Sequence, residues 1–81
     1  MPFVNVKLIE DIFTPVQKQE IIRKVTDAMV SVAGENLRPV TVVVLDEVKS
    51  GDWGIGGQTI SSGHVKEIMA GKARQASTAP R

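Results

Sequence analysis

The sequence contains no cysteine, which removes disulfides and thiolate metal sites together. Its single histidine, His64, leaves a zinc cluster short of ligands. An excess of charge of one sign is missing too. Ten basic and nine acidic side chains leave a formal net charge of +1, so no field favours nucleic acid or an anionic membrane. No apolar run approaches membrane-spanning length, and the start lacks the basic and long apolar regions of a signal peptide. These absences predict a cytoplasmic protein with no metal, no nucleic-acid partner and no membrane partner. Size is the last shortage. A chain of 81 residues is one small domain with a modest core. Small folds draw reinforcement from disulfides, metal or oligomerisation, and only the third remains open here.

What is present falls into a clear order. "FVNVKLI" reads as a strand from Phe3 to Ile9, with Val4, Val6 and Leu8 on one face and Phe3, Asn5, Lys7 and Ile9 on the other. "EDIF" turns the chain, and "TPVQ" starts a helix. Thr14 can cap it, Pro15 suits the first helical position, and Gln17 completes a capping box. The spacing predicts a helix from Pro15 to about Ala33, with an apolar stripe of Ile21, Ile22, Val25, Ala28, Met29 and Val32. Lys18, Glu20, Arg23, Lys24 and Asp27 take the wet side, and Gly34 stands where a left-handed cap is wanted.

"PVTVVVLDEV" predicts a β-branched strand from Val40 to Glu47. Strand, helix, strand makes a βαβ unit, so the two strands should run parallel with a right-handed crossover. Val40, Val42 and Val44 share one face of the second strand, and Val43 and Leu45 the other. One helix cannot cover both faces, and two strands alone leave open edges. The expectation is a homo-oligomer in which Val43 or Leu45 faces a partner subunit. "KSGDWGIGGQTI" should form a loop or tight hairpin, and "SSGHVKEIM" a short helix capped by Ser61 or Ser62. "AGKARQASTAPR" has no bulky apolar side chain and should fray. The fold class is therefore α+β: a small β-α-β protomer whose parallel two-stranded sheet is completed by partner subunits, followed by a hairpin and short helix. Residues 1–62 form the β-α-β domain, and residues 63–81 the short C-terminal helix and flexible tail.

Few residues offer chemistry. Pro2 has two readings. It can be a proline tolerated at a strand start. Alternatively, with Met1 removed, it is a secondary amine and a general base. An α-amino group titrates near about 7.7–8.0, and apolar surroundings lower that further, towards the working pH where a general base is most efficient. "GDWGIGG" lacks the lysine ending of a P-loop and the spacing of a dinucleotide fingerprint. It reads instead as a turn that holds Trp53, either as core filler or as the wall of a pocket. Arg38 is either a solvated surface arginine or the cation for a ligand carboxylate, given its bidentate reach. His64 reads as an exposed residue near a helix start, and Glu20–Lys24 as a favourable four-residue pair.

Proline after methionine, the first strand, "TPVQKQEIIRKVTDAM", the valine-rich strand and "WGIGG", in that order from Pro2 to about Ile60, resemble the 4-oxalocrotonate tautomerase family. The resemblance implies a β-α-β protomer assembled as a hexamer, a trimer of dimers, or as a trimer. It implies a cofactor-free isomerase that uses Pro2 as general base for keto–enol proton transfer in small 2-oxo acids. Trp53 matches an aromatic wall of the family's pocket. Relatives also include hydratases and dehalogenases that use the same proline as an acid, and non-catalytic assembly subunits. The family's two carboxylate-binding arginines have no counterpart: their positions fall at about Ile12 and at Thr41 or Val42. Arg38, Lys7 and Lys49 are the cations available to replace them, and an aromatic monoacid is the expected substrate rather than a dicarboxylate.

Overall fold

The computed structural model describes residues 1–71. Strand β1 spans Phe3–Ile9 and helix α1 spans Pro15–Ala33, the two ranges that alternation and capping predict. At the head of α1, Thr14 Oγ1 accepts from the Gln17 N–H at 3.1 Å, and Gln17 Oε1 accepts from the Thr14 N–H at 2.9 Å. Two donors that a helix start leaves unpaired are thereby satisfied.

The inward side of α1 differs from the expected stripe. Val30, outside that stripe, is only 3% exposed, whereas Val32, inside it, is 90% exposed. Val30 continues the row of Ile22 and Thr26 at four-residue steps. Val32 lies two residues on, about 200° around a helix of 3.6 residues per turn. Gly34 has the positive φ that glycine tolerates, 102°, but its ψ of 151° lies outside the left-handed helical region. Its N–H still closes the helix on the Val30 carbonyl at 2.8 Å.

Strand β2 runs Val42–Val48, not Val40 to Glu47. Val40 belongs to a 3₁₀ segment, Glu35–Val40, which includes Pro39. Local bonds override the β-propensity of that valine. Thr41 donates its N–H to the Arg38 carbonyl at 3.2 Å and its hydroxyl to the Leu37 carbonyl at 2.8 Å. Residues three apart eclipse in a 3₁₀ turn, which brings Glu35 onto Arg38.

β1 and β2 form a two-stranded sheet. The Val42 N–H donates to the Pro2 carbonyl at 3.0 Å where the strands start, and the Glu10 N–H donates to the Val48 carbonyl at 2.8 Å where they end. Start lies beside start, so the pairing is parallel and α1 is the crossover. Lys18 of α1 pairs with Glu47 of β2 at 2.9 Å. Side chains alternate along a strand, so Val43, Leu45 and Glu47 share the side tied to the helix. Val43 and Leu45 are half-buried there. The opposite side carries Lys7 paired with Asp46, together with Phe3 at 66% and Val44 at 37% exposure.

The chain divides into two compact units: Met1–Leu8 with Phe13–Glu47, and Ile9–Ile12 with the chain from Val48 onward. In the second, β3 (Trp53–Ile55) and β4 (Gln58–Ile60) form an antiparallel hairpin with Trp53 opposite Ile60. Gly56 and Gly57 make its turn at φ 59° and 85°, the two positive φ values a tight hairpin needs. Helix α2 spans Ser62–Met69, and Ser61 is its cap, its Oγ accepting from the His64 N–H at 3.1 Å. The fraying expected of the tail falls on residues 72–81, which lie outside the described residues. Among the described residues only Ile9 and Val30 are buried apolar side chains. No helix there is long and apolar enough to cross a membrane.

Candidate active site

Pro2 stands at the head of β1, half-buried, with its carbonyl oxygen held by the Val42 N–H. The sheet ladder therefore fixes its backbone. Its nitrogen carries Met1 in this chain and is a tertiary amide. Met1 is 85% exposed, so its own packing contributes little. Removal of Met1 is the step that would turn the Pro2 nitrogen into a base.

Arg38 lies in the same unit, in the 3₁₀ segment. Its Nε and Nη2 each donate to one oxygen of Glu35 at 3.0 Å, and its Nη1 donates to Asp27 Oδ1 at 2.8 Å. The hydrogen bonds it donates to Glu35 and then to Asp27 hold the guanidinium above its ordinary pKa. Reciprocally, the Arg38 hydrogen bond lowers Glu35 below the usual carboxylate range, against a smaller opposing effect of desolvation. Among the described residues, three of the five N–H donors of Arg38 are engaged in this way. Lys7 pairs with Asp46. No ion pair among the described residues involves Lys49.

Trp53 belongs to the second unit. It is half-buried, and its backbone is paired with Ile60 at the base of the hairpin. Ile12 is half-buried just after Asp11, whose φ of 65° puts a non-glycine residue in the left-handed region. Aspartate tolerates that conformation better than most side chains. His64 is half-buried rather than exposed, in the first turn of α2.

The first unit also has an open groove of about 380 Å³ lined by Phe13, Gln17, Glu20, Ile21, Lys24 and Val25. It contains none of the candidate site residues. Its charged rim is internally paired, Glu20 with Arg23 and with Lys24. The Arg23 hydrogen bond lowers the Glu20 carboxyl below its ordinary pKa. The groove is an apolar helix face without a nucleophile or free base. No cluster of three or more histidine, cysteine, aspartate or glutamate side chains suited to a metal exists among the described residues.

Two residues that patterning missed stand beside the Trp53 hairpin. Glu10 Oε2 accepts from the Ser50 N–H at 2.9 Å, and Ser50 Oγ accepts from the Ser62 N–H at 2.9 Å. Glu10 and Ser50 are 40 residues apart, so no local signal joins them.

Comparison with known proteins bears on this arrangement. A family model described as "Tautomerase enzyme" matches residues 2–63. "Probable tautomerase K2" of Dickeya dadantii is 43% identical over 61 residues, 75% of this chain and 90% of that protein. The crystal structure of DmpI from Helicobacter pylori is similar, with a TM-score of 0.64 and 42% identity. That match covers 72% of this chain and 94% of the other. A structure of the 4-oxalocrotonate tautomerase isozymes from Methylibium petroleiphilum gives a TM-score of 0.65 at 36% identity. It covers 79% of this chain and 97% of the other.

Proposed function

Because the chain belongs to the tautomerase enzyme family, we propose that it is an isomerase of small 2-oxo acids and their enols, with Pro2 as general base. One observation carries the reading. Pro2 opens β1 with its carbonyl locked to Val42, so an amine made at its nitrogen would be held on a rigid strand. In ketonisation, the neutral amine takes the proton of the enol hydroxyl. The oxygen electrons close the carbonyl, and the former double-bond pair takes the proton from the ammonium at carbon. One O–H and one C=C become one C–H and one C=O, with no net change in electrons, so the step needs no cofactor.

Trp53 serves as the apolar wall for the substrate's side chain, which favours an aromatic monoacid such as phenylenolpyruvate. The carboxylate goes to Arg38 by exchange with Asp27, the acid that holds it through one bond rather than two. The working form is a homo-oligomer, a hexamer or a trimer. Exposed Phe3 and Val44 on one side of the sheet, and only two buried apolar side chains among the described residues, support assembly.

The test is intact mass followed by kinetics. Protein lacking Met1 is expected to ketonise phenylenolpyruvate, and Pro2→Ala is expected to lose about 10²–10⁴-fold in kcat. Wild-type rates no higher than those of Pro2→Ala would refute the reading.

A second reading, a non-catalytic assembly subunit, is favoured by one specific observation. Ile12, Thr41 and Val42 supply no cation, and three of the five N–H donors of Arg38 are already taken by Glu35 and Asp27. Methionine retained on the mature protein would decide for that reading.

A further inference from the structure

The backbone around the Trp53 hairpin is tied at its two ends through one residue, Ser50. Before the hairpin, the Ser50 N–H donates to the Glu10 carboxylate; after it, the Ser62 N–H donates to Ser50 Oγ. Between them the Gly51 N–H reaches the Ile60 carbonyl at 3.3 Å, and the Asp52 N–H reaches the Lys49 carbonyl at 2.9 Å. The Trp53–Ile60 pair is the first rung above this base. Glu10 is itself fixed, since its own N–H is bonded to the Val48 carbonyl. Glu10 and Ser50 are both half-buried, which limits competition from water. A hydrogen bond to an ionised acceptor is also the stronger kind.

We infer that Glu10 and Ser50 are positioning residues that set the place and mobility of Trp53, and through it the preference for aromatic substrates. The second half of this inference rests on Trp53 being a wall of the pocket. The role assigned to both is positioning, not contact with the substrate. Glu10 fixes Ser50, Ser50 joins the two ends of the hairpin, and the hairpin carries the indole. Loosening either link lets Trp53 sample more positions, so an aromatic ring loses its fixed contact surface. A small aliphatic enol, which uses little of that surface, loses less.

The experiment uses the full chain and two pairs of variants. Glu10→Ala and Ser50→Ala remove an acceptor; Glu10→Gln and Ser50→Thr keep one. Trp53 is the only tryptophan, so acrylamide quenching of intrinsic fluorescence reports on this hairpin alone. Quenching and amide exchange at Ser62 are expected to rise in both alanine variants and to return towards wild type in the glutamine and threonine variants. KM for phenylenolpyruvate is expected to rise about tenfold in the alanine variants, the effect of one lost hydrogen bond, with kcat within about twofold. KM for an aliphatic enol should change much less. Quenching unchanged in both alanine variants would overturn the inference, as would equal KM changes for the two substrates. If wild type is inactive on every enol, the tautomerase reading fails. Quenching that rises with alanine and recovers with glutamine and threonine would still uphold the positioning of Trp53.

Discussion

Arg38 shows how one side chain can be claimed by two roles. Its three ion-pair bonds tie the 3₁₀ segment to itself through Glu35 and to α1 through Asp27. Side-chain exposure of 42% leaves it reachable by a ligand, and its raised pKa keeps it charged at any working pH. If the substrate carboxylate takes Nη1 from Asp27, the two acids compete for one donor. Asp27→Asn weakens the internal competitor and is expected to lower KM for a 2-oxo acid. Arg38→Ala is expected to raise it by about tenfold, with kcat little changed, because a contact made equally in ground and transition states moves KM alone. Steady-state kinetics on the two variants check this. Opposite KM changes support ligand binding by Arg38, and unchanged KM in both assigns it to structure only.

At the scale of elements, local signals were the legible ones. The Thr14–Gln17 box, Pro15 and the apolar spacing place α1 correctly because each acts within one turn of the chain. A turn holding Trp53 was legible from the glycines of "GDWGIGG" for the same reason, though whether as a loop or a tight hairpin was not. Val40 was not, since its β-propensity lost to bonds made by Leu37, Arg38 and Thr41, which composition does not reveal. Nor was the Glu10–Ser50 link, which exists only once β1 and β2 are side by side. The 3₁₀ segment also gives a pH dependence with a definite sign. Glu35 titrates below its unfolded value of about 4.3 because the folded chain offers it Arg38. Its contribution is therefore present above about pH 4 and disappears as pH falls through the lowered folded value. Full exposure makes the effect small. The Arg38 Nε–H resonance is expected to shift on acidification below about pH 4, and Glu35→Gln is expected to abolish that transition.

For the whole molecule, the decisive quantity is how little is hidden. Val43 and Leu45 lie on the side of β2 that Lys18 ties to the helix, so the open side is the one with Phe3, Val44 and the Lys7–Asp46 pair. A sheet of two strands with apolar residues on its uncovered side is marginal in water. Assembly through that side would bury them, and the salt bridge already neutralises the charges flanking them. Val44→Lys tests this without touching Pro2, Arg38 or Trp53. A lysine there faces water in a monomer at little cost, whereas in a closed interface it is buried without a partner. Leaving a polar group unpaired costs about 1–3 kcal/mol, or roughly a 5- to 150-fold weaker association. Light scattering across a dilution series is expected to give an oligomer for wild type and a smaller species for Val44→Lys at the same concentration. A monomeric wild type at micromolar concentration would refute the assembly. An oligomer indifferent to Val44→Lys would move the interface elsewhere, with the apolar groove of Phe13, Ile21 and Val25 the next surface to substitute.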